Sequence, residues 1–348
     1  MFNMLLKHFE GVCILSPFNL MDSFMLFRLL CYLILSSALS ACQPWHSVSA
    51  ESSSAIMPIP SAADVAYAGN HNPAQMLDLY LPPANIQPIE YGRRPLVVFI
   101  HGGAWMIGDK SWMRGGTHMQ LERLLNVLLN NGYAVASINY RLTPEAMFPS
   151  QIYDVKAAVR YLRVHAADLG MDAARIAVAG ESAGGHLAQL LATTADEPSM
   201  EGDLGSLGVS SRVKAAVSYY GIADLRRLAA ERVEQGCRNP WLYNPHKPKE
   251  SEYGLFGGGP LDNPQRQRQA LLASPIHYVS AGDAPMLLLH GRQDCTVAVV
   301  QSQSMYAALQ KEGVPSQLYL LDADHAQAQF YTSDSVQQLV LNFLKHYL

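Results

Sequence analysis

A serine lies in a tight turn between a strand-like apolar run and a helix-like run. The pentapeptide Gly180-Glu-Ser-Ala-Gly184 follows residues 176–179 and precedes residues 187–192. Small residues two positions either side of Ser182 let the chain turn sharply and lift the hydroxyl clear of a sheet. The helix directs free N–H groups and its positive dipole end toward the same point, which suits an oxygen that becomes negative. The pattern therefore predicts that Ser182 is a nucleophile.

Two adjacent glycines follow a second buried strand. Residues 95–100 form a continuous apolar run, typical of a strand covered on both faces, and end in His101-Gly-Gly-Ala-Trp105. Adjacent glycines allow backbone N–H groups to point into a cavity, where they hold a developing oxyanion. Taken alone, the stretch is an ordinary glycine turn. Together with Ser182, it predicts an oxyanion hole.

A serine nucleophile needs a base, and the base needs an orienting acid. In strand-turn-helix sites of this kind, the chain order is serine, acid and then histidine. Asp294 follows the strand-like residues 285–289, and His325 follows the strand-like residues 317–321. Both would lie at carboxyl ends of strands, as Ser182 does. The sequence therefore predicts a catalytic triad of Ser182, Asp294 and His325.

Other histidines compete for the role of base. His186 lies one helical turn after Ser182, so its ring would point along the helix face, and we expect it to pack or to hydrogen-bond locally. His290 precedes the Asp294 loop and His101 precedes the glycine pair, and each is expected to brace its own loop. No histidine pair has metal-ligand spacing, so no metal site is predicted.

Two other carboxylates lie close to the proposed base in the chain. Asp322 and Asp324 adjoin His325. A neighbour in sequence is poorly placed to reach the far ring nitrogen of the imidazole. Asp294 is therefore the preferred orienting acid.

The rest of the chain alternates between strand and helix patterns. Such alternation predicts an α/β fold with a mostly parallel, doubly wound sheet in one domain, residues 64–348. About residues 225–275 interrupt the rhythm with a helix-like stretch and then proline and glycine, which predicts a partial cap over the pocket. Strand-like runs lie at 78–81, 95–100, 134–138, 176–179, 213–219, 285–289 and 317–321, and helix-like runs at 121–131, 152–167, 226–234, 299–312 and 335–347.

The first 42 residues have the pattern of a secretory signal. Arg28 precedes an apolar stretch of residues 29–39, shorter than the ~20 residues that a spanning helix needs. Leu39-Ser-Ala-Cys42 resembles the bacterial lipoprotein box, in which the cysteine is lipidated after cleavage. We therefore expect export and a lipid on Cys42, with the protein membrane-anchored on the periplasmic or cell-surface side. A start at Met21 or Met25 would give a more ordinary signal than Met1.

Residues 43–63 are rich in Ser, Pro and Ala and carry almost no charge, as expected of a flexible tether. The whole chain has a net charge of −4 and a pI near 6.3. There is no long basic run, which argues against nucleic acid as a partner. The only membrane contact that we expect is the N-terminal lipid anchor.

The motifs in combination resemble the α/β-hydrolase superfamily, within it the hormone-sensitive-lipase-like esterases, and especially the acetyl xylan and feruloyl esterase branch. The resemblance covers roughly residue 64 to the C-terminus. It implies a carboxylesterase that acts on small-molecule or carbohydrate-linked esters and needs no cofactor. The motifs that carry it are His101-Gly-Gly-Ala-Trp105, Asn139-Tyr-Arg-Leu-Thr-Pro-Glu145, Gly180-Glu-Ser-Ala-Gly184 with Gly-His-Leu-Ala after it, Ala273-Ser-Pro-Ile-His-Tyr-Val279 and the Asp294 loop.

The resemblance also implies roles for the glycine-rich motifs. The N–H groups of Gly103, Ala104 and Ala183 would form the oxyanion hole. The residues themselves add a further expectation: Trp105, beside the oxyanion glycines, would contact the substrate, and a bulky side chain there with a short insertion would favour short acyl chains. Three departures from the family pattern stand out: Ala104 replaces a third glycine, the histidine loop Asp-Ala-Asp-His-Ala-Gln lacks glycines, and Cys295 replaces a proline.

Two other functions fit the same sequence. An amide hydrolase of this fold, such as a formamidase, would use the same triad. A non-catalytic binding protein on a hydrolase fold would be expected to lack a triad residue, and none is missing here. Substrate assays separate the ester and amide alternatives.

Cys237 and Cys295 remain once Cys13, Cys31 and Cys42 are assigned to the leader and the anchor. Export would place them in an oxidising compartment, where paired thiols usually form disulfides. A bridge would fasten the insertion to the Asp294 loop. Two unlinked cysteines are the alternative, because the Cα separation cannot be judged from sequence.

Overall fold

The computed structural model describes residues 58–87, 92–115, 119–237, 254–258 and 261–348. All of them belong to one compact unit, Ile56–Leu348. The predicted signal segment 1–42, the lipidation site Cys42 and residues 43–57 of the predicted tether lie outside the described residues. Within the part of the chain that is described, no helix has both the length and the apolar character needed to cross a membrane.

The described residues form an eight-stranded sheet. Its strands are β1 (Ala62–Ala66), β2 (Met76–Tyr80), β3 (Arg94–Ile100), β4 (Ala134–Ile138), β5 (Met171–Glu181), β6 (Ala215–Tyr219), β7 (Met286–Gly291) and β8 (Ser316–Leu321). Their order across the sheet is β1-β2-β4-β3-β5-β6-β7-β8. The first two pairings in this order, β1 with β2 and β2 with β4, are antiparallel, and all the others are parallel. The predicted α/β fold with a mostly parallel sheet is therefore confirmed.

Helices cover both faces of the sheet. They are α1 (Leu121–Asn130), α2 (Ser150–His165), α3 (Ala183–Thr193), α4 (Leu228–Glu234), α5 (Pro264–Leu272), α6 (Val300–Lys311), α7 (Gln329–Thr332) and α8 (Asp334–Tyr347). Apolar residues of α2, α3 and α6 belong to one core cluster, and those of α1, α7 and α8 belong to a second cluster on the opposite face.

Strand β3 shows why the central strands read as unbroken apolar runs. Val97 and Phe99 belong to the core cluster with α1 and α8, whereas Leu96, Val98 and Ile100 belong to the cluster with α2 and α3. Successive side chains of a strand point to opposite faces, so a strand covered on both faces needs apolar residues at every position. Such strands end at one common edge of the sheet, where the loops with polar residues begin.

The N-terminal edge differs from the prediction. Strand β1 begins at Ala62, inside the segment 43–63 that was predicted to be a tether. Its short, half-exposed sequence Ala-Ala-Asp-Val-Ala gives little apolar alternation, so the pattern alone does not reveal it. The buried Lys110 pairs with Asp64 of β1 at 2.7 Å and with Asp78 of β2 at 3.0 Å. These contacts fix the edge strand to the sheet.

Candidate active site

Ser182 lies between β5 and α3 in a strained backbone conformation, with φ of +54° and ψ of −117°. Positive φ is uncommon outside glycine and concentrates at functional sites. A Cβ on Gly180 would lie 2.3 Å from the Gly184 carbonyl oxygen, and one on Gly184 would lie 2.1 Å from the oxygen of Ile100. Both glycines are therefore required by close backbone approach. The predicted sharp turn is present.

The three predicted triad residues meet in the structure. His325 Nε2 lies 3.0 Å from Ser182 Oγ, and His325 Nδ1 lies 2.7 Å from Asp294 Oδ2. Asp294 follows β7 and His325 follows β8, so all three residues come from carboxyl ends of parallel strands. Because a carboxylate only accepts hydrogen bonds, Nδ1 carries the proton toward Asp294, which leaves Nε2 free to accept from the serine hydroxyl.

Asp294 is held as a carboxylate. Its Oδ1 accepts hydrogen bonds from the N–H groups of Thr296 and Val297, each at 2.8 Å. Burial alone would raise the pKa of Asp294, but the neighbouring His325 and His290 lower that pKa well below its ordinary value. The Asp294 side chain therefore remains a carboxylate that can accept the hydrogen bond from His325 Nδ1.

His290 braces the acid loop, defined as residues 294–299. Its Nε2 donates to the Val297 carbonyl at 2.8 Å and lies 3.3 Å from Asp294 Oδ2, and its Nδ1 is 2.6 Å from Ser302 Oγ. The prediction that this histidine supports the Asp294 loop is confirmed.

His101 braces its own loop, as predicted, and His186 packs in the core, although its hydrogen-bond partner lies 87 residues away. His186 is buried, and its Nε2 donates to the Ala273 carbonyl at 2.6 Å. His101 donates from Nδ1 to the Gly102 carbonyl at 2.8 Å and stacks on Tyr140 at a centroid distance of 4.5 Å. Burial lowers the pKa of both His101 and His186 to about 4. Neither ring is hydrogen-bonded to the Ser182 hydroxyl, although the backbone N–H of His186 donates to the Ser182 carbonyl at 2.9 Å.

The two neighbouring carboxylates do not orient the imidazole. Asp324 Oδ1 accepts from the backbone N–H of His325 at 2.7 Å and of Cys295 at 3.4 Å. Asp322 is exposed and pairs with Arg292 at 3.4 Å. Asp324 therefore fastens the histidine loop to the acid loop through backbone groups, while Asp294 makes the bond to the ring.

The oxyanion loop, defined as residues 102–107, has three successive residues with positive φ. The values are +92° at Gly103, +56° at Ala104 and +58° at Trp105. Gly103 and Ala104 line the same cleft as Ser182, and Ala183 is the first residue of α3. Among the described residues, the N–H groups of Gly103, Ala104 and Ala183 donate to no other group. They are available to an oxyanion, as the prediction requires.

Trp105 does not lie where it was predicted. Its side chain is only 1% exposed and packs edge-on against His186, with ring centroids 5.1 Å apart, instead of facing the cleft. The positive φ at this position turns the indole toward the core. Trp112 supplies an aromatic wall of the cleft instead. The prediction that Trp105 contacts the substrate is therefore wrong.

The cleft has a volume of about 380 Å³ and its lining is mainly apolar. No group of three or more His, Cys, Asp or Glu side chains in the described ranges could hold a metal ion. The cleft is lined by Gly103, Ala104, Met106, Ile107, Trp112, Met119, Glu181, Ser182, Thr296, His325 and Ala326.

Glu181 is a residue of the site that sequence reasoning missed. Its carboxyl group is buried and accepts a hydrogen bond from the Gly102 N–H at 2.6 Å. Burial raises the pKa of Glu181, while His325, the Gly102 N–H and the Tyr220 hydroxyl oppose that rise. The sequence did contain a signal for this role. Glu181 is an acidic residue at the end of a buried apolar strand, where an unpaired charge is costly.

The predicted insertion holds the acid loop from outside the sheet. Gln235 donates to the Asp294 carbonyl at 2.7 Å and accepts from the Val299 N–H at 2.9 Å, and Arg232 donates to the Thr296 carbonyl at 2.7 Å. A disulfide joins Cys237 to Cys295, with Cα atoms 5.4 Å apart. Within the predicted insertion, α4 spans Leu228–Glu234 and α5 spans Pro264–Leu272.

Known proteins share this fold and much of this sequence. Esterase LipQ of Mycobacterium tuberculosis is 34% identical over 267 residues, 76% of this chain and 56% of that protein. The probable carboxylic ester hydrolase LipM of the same organism is 32% identical over 250 residues, 71% of this chain and 51% of that protein. The chain therefore spans about half the length of the curated relatives it matches.

Solved structures are similar over more of their length. A truncated form of a carbohydrate esterase from gut microbiota aligns with a TM-score of 0.68 and 27% identity, covering 84% of this chain and 97% of that one. Propionate-bound esterase Est2 of Thermogutta terrifontis aligns with a TM-score of 0.58 and 25% identity, covering 84% and 95%. The predicted resemblance to α/β-hydrolase esterases is thereby confirmed.

The BD-FAE family model matches residues 77–309. This range is well over half of the chain and includes both Ser182 and Asp294. On that match, and with the fold and the convergence of side chains described above, the chain belongs to the BD-FAE family.

Proposed function

We propose that the protein is a serine carboxylesterase that hydrolyses short-chain acyl esters through a Ser182-His325-Asp294 triad. The observation that carries the proposal is the unbroken pair of contacts, 3.0 Å from Ser182 Oγ to His325 Nε2 and 2.7 Å from His325 Nδ1 to Asp294 Oδ2. The names of the relatives, an esterase and a probable carboxylic ester hydrolase, support the same reaction class.

The reaction proceeds through an acyl-enzyme. Ser182 Oγ attacks the ester carbonyl carbon while His325 Nε2 takes the hydroxyl proton, and Asp294 stabilises the imidazolium that forms. The tetrahedral intermediate collapses as His325 returns the proton to the leaving alkoxide, which departs as the alcohol. Water then attacks the acyl group with His325 again as base, and the carboxylic acid and free serine are released.

The negative oxygen of each tetrahedral intermediate is bound by backbone donors. Gly103 and Ala104 supply N–H groups from the oxyanion loop, and Ala183 supplies one from the first turn of α3. These donors are fixed before the substrate arrives, so little reorganisation is needed when charge develops. The positive end of α3 favours the same charge.

The cleft favours a small acyl group. Its volume of about 380 Å³ is at the lower end of ordinary ligand sites, and Trp112, Met106 and Ile107 narrow it with apolar side chains. Acetyl and butyryl esters fit such a site, and a feruloyl ester would place its ring among these residues. The carbohydrate esterase among the similar structures supports a sugar-linked alcohol.

Replacement of the nucleophile tests the proposal. Ser182→Ala should fold with an unchanged melting temperature and lose kcat by about 10⁴-fold or more, because triad residues act as a unit. His325→Ala should lose activity on a similar scale, whereas the control His186→Gln keeps a donor for the Ala273 carbonyl and should retain most activity. Full activity in Ser182→Ala would overturn the proposal.

A substrate panel separates the alternatives. Acetyl, butyryl, octanoyl and feruloyl esters are compared with an N-formyl amide, using the chain without residues 1–42. We expect the highest kcat/KM on acetyl or butyryl esters. A higher value on octanoyl esters would contradict the short-chain preference, and a higher value on the amide would favour a formamidase.

We further propose that the protein is exported and anchored through a lipid on Cys42. The support is the sequence Leu39-Ser-Ala-Cys42 after an apolar stretch that follows Arg28. The full chain should fractionate with membranes, and Cys42→Ser should release it or leave it unprocessed. An unlipidated, soluble wild type would contradict this proposal without affecting the esterase.

A further inference from the structure

Glu181 adjoins the nucleophile but has no role in the hydrolytic cycle described above. Its carboxyl group is only 2% exposed, and Oε1 lies 2.6 Å from the Gly102 nitrogen. Gly102 directly precedes Gly103 and Ala104, whose N–H groups are the candidate oxyanion donors. One buried carboxylate thus joins the nucleophile turn at the end of β5 to the loop that follows β3.

The fit between these two elements is close. A Cβ on Gly102 would lie 2.3 Å from Glu181 Oε1. No side chain at position 102 can therefore coexist with this contact. The Glu181 carboxylate occupies the space that the glycine leaves, and it sets how far the oxyanion loop lies from Ser182.

A second contact leads from Glu181 toward the base. The Tyr220 hydroxyl lowers the pKa of the Glu181 carboxyl group, and the Tyr220 ring lies edge-on to the His325 imidazole at a centroid distance of 4.6 Å. The Tyr220 and Tyr331 hydroxyls are 2.5 Å apart and share a hydrogen bond. Tyr331 lies in α7, just after the histidine loop. These contacts connect the nucleophile turn, the oxyanion loop and the histidine loop.

His325 consequently faces two buried carboxylates. Asp294 bonds to its Nδ1, while Glu181 lines the same cleft and attracts the imidazolium electrostatically. The other titratable groups that face the pair are Tyr140, Tyr220 and Tyr331 beside Glu181, His290 beside Asp294, and Asp324 at the His325 backbone N–H.

We propose that Glu181 is a positioning residue that holds the oxyanion loop against the nucleophile turn, and that its negative charge stabilises the imidazolium form of His325. The inference rests on the proposed serine esterase function. It adds a second anionic group to the one that orients the base. The two parts predict different kinetic signatures, since position affects kcat and charge affects the acid limb of the pH profile.

The test is the pH dependence of kcat/KM for 4-nitrophenyl acetate in the folded, disulfide-bonded enzyme. Glu181→Gln keeps an acceptor oxygen for the Gly102 N–H and removes the charge. Loss of a nearby negative charge disfavours the imidazolium, so the acid limb should move to lower pH by about 0.5 to 1 unit. We also expect kcat on the plateau to fall about tenfold, with KM changed less than about threefold.

Glu181→Asp is the charge-retaining counterpart. Its shorter side chain should reach the Gly102 N–H poorly, so kcat falls while the acid limb stays within about 0.2 unit of the wild type. If Glu181→Gln does not melt cooperatively, this variant carries the test. An acid limb displaced downward by a full unit with the charge retained would overturn the electrostatic part.

Asp283→Asn is the matched control. Asp283 precedes β7 at the end of the sheet opposite the cleft, and burial raises its pKa to about 6. Its replacement should leave the acid limb in place. An unchanged acid limb in Glu181→Gln, with the wild type fully active, would overturn the role of the charge. A wild type that hydrolyses no ester would instead overturn the proposed function.

Discussion

The oxyanion loop and the acid loop both begin at the carboxyl end of a parallel strand, yet they are held in different ways. The oxyanion loop is held by groups of the sheet's own framework: the Glu181 carboxylate receives its first N–H, and His101 and Tyr140 pack beneath it. The acid loop has one brace within the sheet, His290 of β7, but it is also held by the insertion, through Gln235, Arg232 and the disulfide.

The contrast indicates which parts of the site depend on the central fold and which depend on an added segment. Contacts that arise within the sheet form whenever the strands pair. Contacts supplied by α4 and Cys237 require a segment that lies outside the strand order. We therefore expect the position of Asp294 to be more sensitive to changes in the insertion than the positions of Gly103 and Ala104.

The strongest test of the acid loop is replacement of the Asp294 carboxylate. Asp294→Asn should fold normally and lower kcat by about 10⁴-fold, because an amide donates where Nδ1–H must donate and so favours the wrong tautomer. Asp324→Asn is the control, since the amide oxygen still accepts the backbone N–H groups of His325 and Cys295. Steady-state kinetics should show a loss in the control of less than about threefold. Comparable losses in both variants would contradict the assignment.

Loss of the disulfide should have the next largest effect. The bridge closes a loop of 58 residues, for which the chain-entropy model gives about 4 kcal/mol of stability. The Cys237→Ser, Cys295→Ser double variant should melt at a lower temperature and lose kcat severalfold. Without the bridge the insertion is more mobile, and it no longer fixes the position of Asp294. Reductant should reproduce this in the wild type and leave the variant unaffected. An unchanged kcat would show that the insertion does not set the position of the acid.

A smaller effect should follow from removing one side chain of the insertion. Gln235→Ala deletes a donor to the Asp294 carbonyl and an acceptor for the Val299 N–H, which should cost about 1–2 kcal/mol of unfolding free energy and reduce kcat about two- to fivefold. Gln310→Ala is a matched control, because that glutamine is exposed and bonds to Ser316 on the far side of the domain. Equal losses in urea denaturation would argue against a special role for Gln235.

The smallest effect is expected in the oxyanion loop itself. Ala104→Gly relieves a positive φ but increases the freedom of the unfolded chain, so the two contributions nearly cancel and stability should change by less than about 1 kcal/mol. The extra freedom of the donor should lower kcat less than about threefold. A large loss of kcat would show that this loop depends on Ala104 more than on the framework beneath it.

The sequence predicted the parts of the site that follow from strand ends and chain order. Ser182, Asp294 and His325 each follow an apolar run, so their convergence at one edge of the sheet could be expected. The bracing role of His290 also followed, since its partner Val297 is seven residues away, whereas His186 bonds to the carbonyl of Ala273, 87 residues away.

Other features depend on contacts between residues that are distant in the chain. Trp105 was predicted to face the substrate, but the run of positive φ turns it into the core, and backbone handedness is not visible in a motif. The contact of Glu181 with Gly102 brings together the last residue of β5 and the loop after β3, which are far apart in the chain. The disulfide was left open for the same reason, because it depends on the 5.4 Å between two Cα atoms.

The close approach at Gly180 and Gly184 has a consequence for how such a domain can diverge. Selection for folding alone would retain these glycines, because a methyl group at either would collide with backbone oxygen. It would not retain Ser182, where glycine or asparagine would adopt the positive φ more readily. A descendant that lost hydrolysis would therefore keep the Gly-x-x-x-Gly frame while its central residue drifted. The paired glycines therefore indicate only that the fold is retained, whereas the serine between them indicates that hydrolysis is still under selection.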